Sequence, residues 1–534
     1  MVLRGAAALA LAVGLALVLR SPPAAPPDAD DAAVASIDVP LDDDILQGAP
    51  GRLAAALALP TLAQRGAPLN VPDAKPFKQM HDLLEASFPL LFRRLKHERV
   101  NVYSLLFTWP GSSPELRPLL AMSHLDVVPA PSGPGYNWTH GPFSGAIADG
   151  FIWGRGALDI KSAAFQQLEA VALLLRQGYT PRRTLYFALG HDEEVGGEQG
   201  AASIAALLRS RGVELEVVLD EGGLIMMEGL KGPNDLQLVQ QPIALVGTGE
   251  KGWETWVIEV QGSGGHSSMP PVDGSSVAAR IARIVAAVEA QPTTTRLAPP
   301  TTHWFAALAP AVKWAPLRML LQSADNWVVN PILGQLMGQL GKEVAPFVRT
   351  TAAVVGVQAG GVADNVLPTM GTITLNFRVL PGQGDSFVRE YLKLVTRREA
   401  AFVTLRQEGW AVMPPEVAPV GGPHWQLVKQ AILETLRPPQ GLVVAPYLVP
   451  GMTDSRWYAP LAGGRVYRFC PHRYAMNDAS RVHGVDERIS VEDYLRGIRY
   501  YYRLFQLASS DEGSEEAAGE AAADGGGAAA AGGL

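Results

Sequence analysis

A histidine and three acidic residues stand together in the segment FALGHDEEVGGEQG, which runs from Phe187 to Gly200. They follow the apolar run TLYFAL, whose composition predicts a buried strand. Carboxylates this close raise one another's pKa unless a positive charge holds them. A solvated turn is the alternative interpretation, but the end of a buried strand favours a cation site that includes Glu193 and Glu194.

Five further polar residues follow apolar runs or precede helices. In SHLDVVP, His124 and Asp126 are two residues apart on a strand, so their side chains share a face. Asp159 stands in the turn before a helix in GRGALDIKSA, Asp220 ends the run LEVVLD, and His483 lies in RVHGVDERIS. Each alone is also typical of a structural histidine or a helix cap. Together they offer the imidazole and carboxylate ligands that zinc accepts in catalytic sites.

The surrounding elements predict that these residues meet. From about residue 85 to about 240, strand-like and helix-like segments alternate, which predicts an α/β domain with a mainly parallel sheet. Ligands of such sheets gather beyond the carboxyl ends of the strands. The acids and imidazoles are too many for one ion that keeps a water position open, so two ions that share a bridging carboxylate are expected.

The sequence pattern divides the chain into a catalytic domain and an insertion. Residues 51–242 and 410–508 carry the α/β pattern, as the two parts of the catalytic domain. Residues 243–409 have the order strand, helix, strand, strand, helix, strand, which predicts an inserted ferredoxin-like α+β lid domain. A stretch from Trp304 to Val348 interrupts this order with helical periodicity, which on its own fits an ordinary helical subdomain and a lipid-binding stretch equally well.

Composition and charge exclude some classes of partner. The 534 residues are 48% hydrophobic and 18% charged, as in globular proteins. The net charge is −8, and residues 509–534 form an acidic tail without a basic residue, so the folded body is close to neutral. Nucleic acid is therefore not expected as a partner. The tail has too few apolar groups to fold and is expected to be disordered.

The N-terminus predicts export from the cell. Arg4 precedes the apolar run Ala6 to Leu19, so residues 1–20 are expected to be a signal peptide or an uncleaved signal anchor, and 21–50 a flexible spacer. A buried N-terminal helix is the alternative. The glycosylation sequon at Asn137 agrees with secretion. The single cysteine, Cys470, can form no internal disulfide.

The motifs resemble those of a known family. SHLDVVP, GRGALDIKSA, GHDEEVGG, LDEGG, GHSSMP and RVHGVDERIS are similar to the motif series of the zinc metallopeptidases that include aminoacylase-1 and carboxypeptidase S. Within that family, the chain most resembles the secreted N-fatty-acyl-amino acid synthase/hydrolases of vertebrates, from about residue 80 to 507. The resemblance implies a zinc-exopeptidase-like fold and two Zn²⁺ per chain. The implied metal ligands are His124, Asp159 as the bridge, Glu194, Asp220 and His483.

The resemblance also implies roles outside the metal ligands. Glu193 would be the general base, Asp126 would orient His124, and His266 of the lid would stabilise the oxyanion. In some relatives this histidine comes from a partner subunit, so a homodimer through the lid is an expectation. The implied substrate-binding residues are Asn365, Arg378, Thr453 and Arg456.

The implied reaction is hydrolysis of N-fatty-acyl amino acids and, in reverse, condensation of a fatty acid with an amino acid. The stretch from Trp304 to Val348 would then line a fatty-acyl tunnel or dock on lipid particles. A carboxypeptidase, a dipeptidase or a short-chain aminoacylase with the same zinc site is the alternative function. A non-catalytic lipid or amino-acid carrier is a second alternative, although a carrier has no need of Glu193. Cobalt or manganese would also suit such ligands.

Overall fold

The structure is a computed structural model that describes residues 31, 34–131, 133, 135–232, 236–341, 344–360, 363–475 and 478–509. The expected signal segment, 1–20, and residues 510–534 of the acidic tail lie outside these ranges. Among the helices within them, none has the length and apolar character that a membrane span requires.

The first helix, α1 (Asp43–Leu57), begins inside the segment expected to be a flexible spacer. The side chain of Asp42 caps it by accepting the N–H of Ile45 at 3.1 Å. Ile45, Ala49 and Leu53 are buried, and their four-residue spacing places them on one face. The spacer therefore gives way to a packed helix at residue 43.

The first part of the catalytic domain alternates helices and strands. Its further helices are α2 (Ala74–Ser87), α3 (Pro89–Arg94), α4 (Lys161–Arg176) and α5 (Ala201–Ser210). Its strands are β1 (Lys96–Val100), β2 (Ser104–Trp109), β3 (Leu119–His124), β4 (Ile147–Ala148), β5 (Phe151–Trp153), β6 (Leu185–Gly190), β7 (Val217–Asp220), β8 (Leu224–Met226), β9 (Leu230–Lys231), β10 (Gln237–Val239) and β11 (Ile243–Glu250).

The insertion and the second part of the catalytic domain follow. The insertion contains β12 (Gly252–Gln261), β13 (Gly265–His266), α6 (Val277–Ala290), α7 (Thr301–Leu308), α8 (Ala315–Gln322), α9 (Val329–Met337), β14 (Thr351–Gln358), β15 (Val366–Leu367), β16 (Met370–Val379), α10 (Asp385–Thr396) and β17 (Val403–Val412). The chain then forms α11 (Pro423–Leu436), β18 (Val443–Val449), α12 (Ser455–Tyr458), β19 (Val466–Arg468), β20 (Arg473–Tyr474), β21 (Arg488–Ser490) and α13 (Val491–Ala508).

The catalytic domain is built on one mixed sheet with helices on both faces. The strand order is β1-β2-β6-β3-β7-β19-β11-β8-β20, with β18 paired to β11. Its central strands β6, β3, β7 and β19 run parallel. Leu119 and Ala121 of β3 join the core under α4 and α13, while Leu120 and Met122 join the core under α5. This alternation confirms the predicted α/β class.

The lid is a four-stranded antiparallel sheet in the order β14-β16-β12-β17. Helices α6 and α10 cover one face of it, where Trp256, Ile258 and Leu375 are buried against Ile284 and Leu392. This order and this pair of helices are those of a ferredoxin-like domain. The other face of the sheet turns toward the catalytic domain, since Trp253 and Arg378 line the cleft between the two.

The chain passes from one domain to the other through a single residue. Strand β11 pairs with β18 in the catalytic sheet, and β12 pairs with β16 in the lid, so only Lys251 separates them. The lid therefore begins at Lys251 rather than at residue 243, and it ends with β17 at Val412 rather than at 409. Only one residue separates β11 from β12, so no loop marks this border in the sequence.

The helical stretch from Trp304 to Val348 packs on the catalytic domain instead of the lid. Phe305 and Leu308 share a buried cluster with Ile243 and Ala445 of the catalytic sheet. The indoles of Trp314 and Trp327, by contrast, are 63% and 84% exposed. The stretch is thus a helical subdomain with one face against the sheet and two tryptophans in solvent.

Candidate metal centre and substrate cleft

The carboxyl end of β3 places an imidazole among carboxylates. His124 is the last residue of this buried strand, and its ring is 2% exposed. Its Nε2 lies 3.2 Å from Asp159 Oδ1 and 3.4 Å from Glu221 Oε1. These three side chains meet because the turn after β7 and the turn before α4 both open at the same edge of the sheet.

A second imidazole approaches the same aspartate from the other side. His483 Nε2 lies 2.9 Å from Asp159 Oδ2 and 3.2 Å from Glu194 Oε2. Each oxygen of the Asp159 carboxylate thus faces a different histidine. This is the arrangement expected of a carboxylate that bridges two cations.

Asp126 fixes the turn that carries the two glutamates. Its fully buried carboxylate accepts the main-chain N–H of Glu193 at 3.1 Å and that of Glu194 at 3.0 Å. The main-chain carbonyl of Asp126 lies 3.0 Å from His124 Nδ1, closer than its carboxylate at 3.4 Å. Asp126 therefore sets the orientation of His124 mainly through its carbonyl, and that of the glutamates through its side chain.

The structure separates the adjacent acids Asp220 and Glu221. Asp220 was the expected ligand, but its carboxylate accepts the Thr453 hydroxyl at 2.6 Å, and Glu221 is the acid that faces His124. Successive side chains at a strand end point in different directions, so only one of the two can reach the cluster. Groups of three potential ligand atoms within 4.8 Å of one another form on His124, Glu193 and Glu221, and on His124, Asp159 and Glu194.

A buried glutamate that the sequence analysis did not single out supports Asp159. Glu487 Oε1 accepts the N–H groups of Gly156, Leu158 and Asp159 at 3.0, 2.8 and 3.2 Å. Its other oxygen pairs with Arg155 at 2.5 Å. The only sign in the sequence is the acid that follows His483 in RVHGVDERIS, and nothing there shows that it is buried.

The electrostatics of the cluster favour a bound cation. Burial, together with neighbouring charges that include Asp159, raises the pKa of Glu194 to about 7. Burial and neighbouring acids also hold the pKa of Glu193 and that of Glu221 well above the usual range. Hydrogen bonds to Asp159 and Glu194 raise the pKa of His483 to about 10. A cation would favour the ionised carboxylates and neutral imidazoles that metal binding requires.

The donor set also fits zinc on chemical grounds. Glu194 Oε1 is buried and has no hydrogen-bond partner among the residues that the structure describes, as expected of an oxygen reserved for a ligand. The two imidazoles and three carboxylates are ligands that zinc accepts. The residues present therefore suit the expected metal.

A cavity of about 810 Å³ opens over this cluster, between the catalytic domain and the lid. On the β8–β20 side of the cluster its walls are mainly apolar and include Leu224, Cys470 and Tyr474. On the β6 side, beyond Glu194, they carry cationic and aromatic groups. The residues of this second end are Arg65, Trp253, Arg378, Trp410 and Arg456.

Three of the four expected substrate-binding residues line this cavity: Arg378, Thr453 and Arg456. The Thr453 hydroxyl is engaged by Asp220, at 2.6 Å, and by Glu250, at 3.2 Å. The Thr453 hydroxyl therefore links Asp220 and Glu250 below the cavity and is not free for a substrate. No described residue between 304 and 348 lines the cavity, so this stretch does not form the wall that was expected of it.

His266 and Asn365 lie outside the cleft. Both are exposed on the small ladder of β13 and β15, where the Asn365 carbonyl accepts the Ser267 N–H at 2.9 Å. His266 Nδ1 is 2.7 Å from Ser268 Oγ. Neither residue lines the cavity of its own chain. The structure therefore does not bring the expected oxyanion partner to the metal cluster.

Sequence comparison relates this chain to known proteins. The family model for peptidase family M20/M25/M40 matches residues 120–507. The N-fatty-acyl-amino acid synthase/hydrolase PM20D1 of Homo sapiens is 35% identical over 86% of this chain and 88% of its own. The probable carboxypeptidase S-like 2 of Dictyostelium discoideum is 33% identical over 80% of this chain and 79% of its own.

Solved structures show the same fold at lower identity. Human carnosine dipeptidase 1 superposes with a TM-score of 0.58 at 13% identity, over 88% of this chain and 97% of its own. A dinuclear metal-binding peptidase of the M20 family from Bacillus subtilis has a TM-score of 0.53 at 13% identity, over 88% of this chain and 99% of its own.

Proposed function

This chain belongs to peptidase family M20/M25/M40 and is a metal-dependent amide hydrolase, and we propose that its substrates are N-fatty-acyl amino acids. The reverse reaction would join a fatty acid to an amino acid at the same site. The observation that carries this proposal is the meeting of Asp159 with both imidazoles below a cleft whose two ends differ in polarity. The similarity to the human synthase/hydrolase supports the substrate class.

The metal would be two zinc ions held by five side chains. Asp159 would bridge them, with His124 and Glu221 on one side and Glu194 and His483 on the other. Bound zinc supplies a water of lowered pKa and polarises the carbonyl group that it contacts. Glu221 replaces Asp220 in this assignment because its carboxylate is the one near His124.

Glu193 would move the proton in both halves of the reaction. Its carboxylate would take a proton from the attacking water and give it to the nitrogen of the leaving amino acid. Asp126 holds the main chain of Glu193 and Glu194 at 3.1 and 3.0 Å, which keeps the base and the neighbouring ligand in fixed relative positions. The adjacent residues Glu193 and Glu194 would thus have different roles, one as the base and the other as a metal ligand.

Each half of the substrate would occupy one end of the cavity. The acyl chain would lie toward Leu224, Cys470 and Tyr474, because these walls are mainly apolar. The amino-acid head group would lie toward Arg378, whose guanidinium suits a carboxylate. The scissile amide then falls over the metal cluster between them.

The decisive experiment compares N-oleoyl-phenylalanine with N-acetyl-phenylalanine and a dipeptide on the zinc-loaded protein. We expect the largest kcat/KM for the oleoyl substrate, and formation of the same amide from oleate and phenylalanine. Preference for the acetyl or peptide substrate would indicate an aminoacylase or a peptidase, which the likeness to a probable carboxypeptidase S-like protein also supports. Bound zinc with no turnover of any substrate would indicate a carrier.

We further propose that His266 acts only when a second copy or a closing motion of the lid brings it to a cleft. Its exposed position on the lid supports this proposal. A mixture of the Glu193→Gln and His266→Ala variants distinguishes the two routes. If a partner chain supplies the histidine, mixed dimers recover activity that neither variant has alone. No recovery would mean that His266 serves its own chain or has no catalytic role.

The surroundings of the enzyme are proposed from exposed features. The tryptophans Trp314 and Trp327 would contact lipid particles, since exposed indoles favour such interfaces. Flotation of the native protein and of the Trp314→Ser/Trp327→Ser variant with phosphatidylcholine vesicles tests this contact.

The N-terminal segment would direct secretion, and Asn137, which is exposed, would then be accessible to the glycosylation enzymes. Secretion and a mass shift that Asn137→Gln removes are the expected results in a eukaryotic host.

A further inference from the structure

Three arginines and two tryptophans stack on one another at the β6 end of the cleft. Arg378 Cζ lies 4.0 Å from the ring centre of Trp253, and Trp253 stacks on Trp410 with ring centres 6.2 Å apart and an angle of 14°. Arg65 and Arg456 each lie 5.3 Å from the ring centre of Trp410. These five residues, which we call the arginine–tryptophan ladder, all line the cavity.

The ladder presents guanidinium groups to the substrate, not open aromatic faces. The ring of Trp253 packs against Arg378 and Trp410, and the ring of Trp410 packs against Trp253, Arg65 and Arg456. An aromatic head group could stack there only by displacing a side chain. The groups that remain available are N–H donors at the edges of the guanidinium planes, and these select anions.

Unused donors are present at both ends of the ladder. The guanidinium of Arg378 makes no hydrogen bond or ion pair with any residue that the structure describes, and it stacks on the Trp253 ring. Arg456 donates through its two terminal nitrogens to the carbonyls of Thr453 and Gly196. Its Nε is buried and has no partner among the described residues. An unpaired buried donor is costly unless a ligand completes it.

The charges at this end exceed what one carboxylate requires. Four of the five acids that line the cavity, Asp159, Glu193, Glu194 and Glu221, belong to the metal cluster. The fifth is Glu408, which is half exposed and lies 3.5 Å from Arg406. Outside the cavity lining, Arg65 also lies 3.9 Å from the exposed Glu198, and the buried Asp454 interacts electrostatically with Arg456. An exposed pair at this distance contributes little, so the three arginines still offer more donors than one α-carboxylate requires.

We propose that the head group carries a second carboxylate, so that the preferred substrates are N-fatty-acyl derivatives of the acidic amino acids, glutamate and aspartate. This inference rests on the proposed function and specifies its head group. Arg378 binds the α-carboxylate, and Arg456 and Arg65 bind the side-chain carboxylate. The chain brings both arginines close to Gly196, where a Cβ would lie 3.0 Å from Arg65 and 3.7 Å from Arg456.

The test compares N-oleoyl-glutamate with N-oleoyl-glutamine, which has the same shape without the second charge. We expect a kcat/KM at least about tenfold higher for the glutamate derivative, since a charge-assisted hydrogen bond to a buried donor is worth that much. In Arg456→Gln and in Arg65→Gln this preference falls severalfold, while turnover of the glutamine derivative changes less. Arg65 is half exposed, so Arg65→Gln keeps the fold and tests the proposal even where Arg456→Gln lowers stability.

Two further variants complete the design. Glu408→Gln removes the acid of the cavity lining that lies outside the metal cluster, and we expect it to increase the preference for glutamate. Arg209→Gln, an exposed position on α5, is the matched control and leaves the preference unchanged. Salt weakens the preference in the native protein because the interaction is ionic.

The outcomes separate this inference from the proposed function. Turnover of both oleoyl substrates with equal or greater kcat/KM for glutamine overturns the acidic head group and leaves the fatty-acyl function standing. Turnover of neither oleoyl substrate, with activity on acetyl or peptide amides, overturns the fatty-acyl function. The head-group preference is then measured on N-acetyl-glutamate against N-acetyl-glutamine, and equal rates there overturn the ladder assignment as well.

Discussion

Asp159 is the residue on which the two imidazoles converge, because each of its carboxylate oxygens faces a different histidine. The ligands around it come from the ends of several strands and from a late loop. Such a centre depends on each side chain pointing in the right direction. The neighbours Asp220 and Glu221 show how much depends on direction, because both are acids but only the Glu221 carboxylate points toward His124.

The variants Asp220→Asn and Glu221→Gln should therefore differ in metal content. Glu221→Gln removes a carboxylate near His124, so we expect it to lose about one zinc ion per chain or to bind it far more weakly. Asp220→Asn should keep both ions, because its carboxylate bonds to Thr453. Metal analysis after dialysis against a weak chelator measures the difference. Loss of zinc in Asp220→Asn alone would restore the assignment made from the sequence.

Glu193→Gln should separate metal binding from proton transfer. The glutamine cannot take a proton, so we expect kcat to fall by about 10²–10⁴-fold. The zinc content should stay at the native value if Glu193 is the base and not an essential ligand. A discontinuous activity assay and a metal analysis of the same sample give kcat and the zinc content per chain. Native kcat in this variant would rule out Glu193 as the base.

At the scale of elements, the loop before α4 depends on a partner from the far end of the chain. Glu487 accepts three of its main-chain N–H groups and pairs with Arg155. Both side chains are buried, so loss of one charge leaves the other unpaired. This loop carries Asp159, so its order determines whether the Asp159 carboxylate faces both histidines.

We expect Glu487→Gln to lower the free energy of unfolding by about 3 kcal/mol, because it breaks a buried ion pair from one side. Zinc affinity should fall as well, since Asp159 loses its support. Chemical denaturation of the zinc-free and zinc-loaded proteins measures both effects. Glu492→Gln, whose side chain is 65% exposed, is the matched control and should change stability by less than about 1 kcal/mol. Equal behaviour of the two variants would contradict this role.

The crossing between domains holds a lysine in an apolar setting. Lys251 is 1% exposed, and its Nζ donates to the carbonyls of Pro346 and Arg349 at 3.0 and 2.9 Å. Burial, with a smaller contribution from Arg378, lowers its pKa from 10.5 to about 7. A single residue thus joins β11 to β12 and also anchors the end of the helical insertion.

The stability of the native protein should rise with pH through this residue. Between pH 7 and 10.5 the unfolded state keeps the Lys251 proton and the folded state loses it, so the free energy of unfolding increases across that window. The slope from one such group reaches about 1.4 kcal/mol per pH unit. Denaturation at pH 7 and pH 9 should show a smaller increase for Lys251→Met than for the native protein. Lys393→Met, at a lysine 65% exposed, should keep the native increase.

Over the whole molecule, metal binding should be linked to folding. The proposed ligands come from both parts of the catalytic domain, so the unfolded chain lacks the site and bound zinc would stabilise the folded chain. At free zinc 100-fold above its Kd, we expect about 2.7 kcal/mol of stabilisation per site. A lower melting temperature after chelation, restored by zinc, is the expected result. An unchanged melting temperature would argue against the five-ligand centre.

The sequence predicted the α/β class, the ferredoxin-like lid and the edge at which ligands gather, because these follow from periodicity and strand order. It could not decide between Asp220 and Glu221, because successive side chains at a strand end point in opposite directions and the sequence does not show where the strand ends. It could not place His266 either, because the distance of this residue from the metal cluster depends on how the lid packs on the catalytic domain. The helical insertion packs on β11 and β18 of the catalytic sheet, and no local sequence pattern predicts this tertiary contact.

The late position of His483 and Glu487 in the chain has a consequence for biosynthesis. The lid is one continuous segment, so it has all of its strands once the ribosome has released residue 412. The catalytic sheet at that moment still lacks β18, β19 and β20, and the metal cluster lacks its second imidazole. The proposed zinc centre would therefore be completed only when translation is almost finished, and a product truncated before His483 would have a complete lid but an incomplete metal centre.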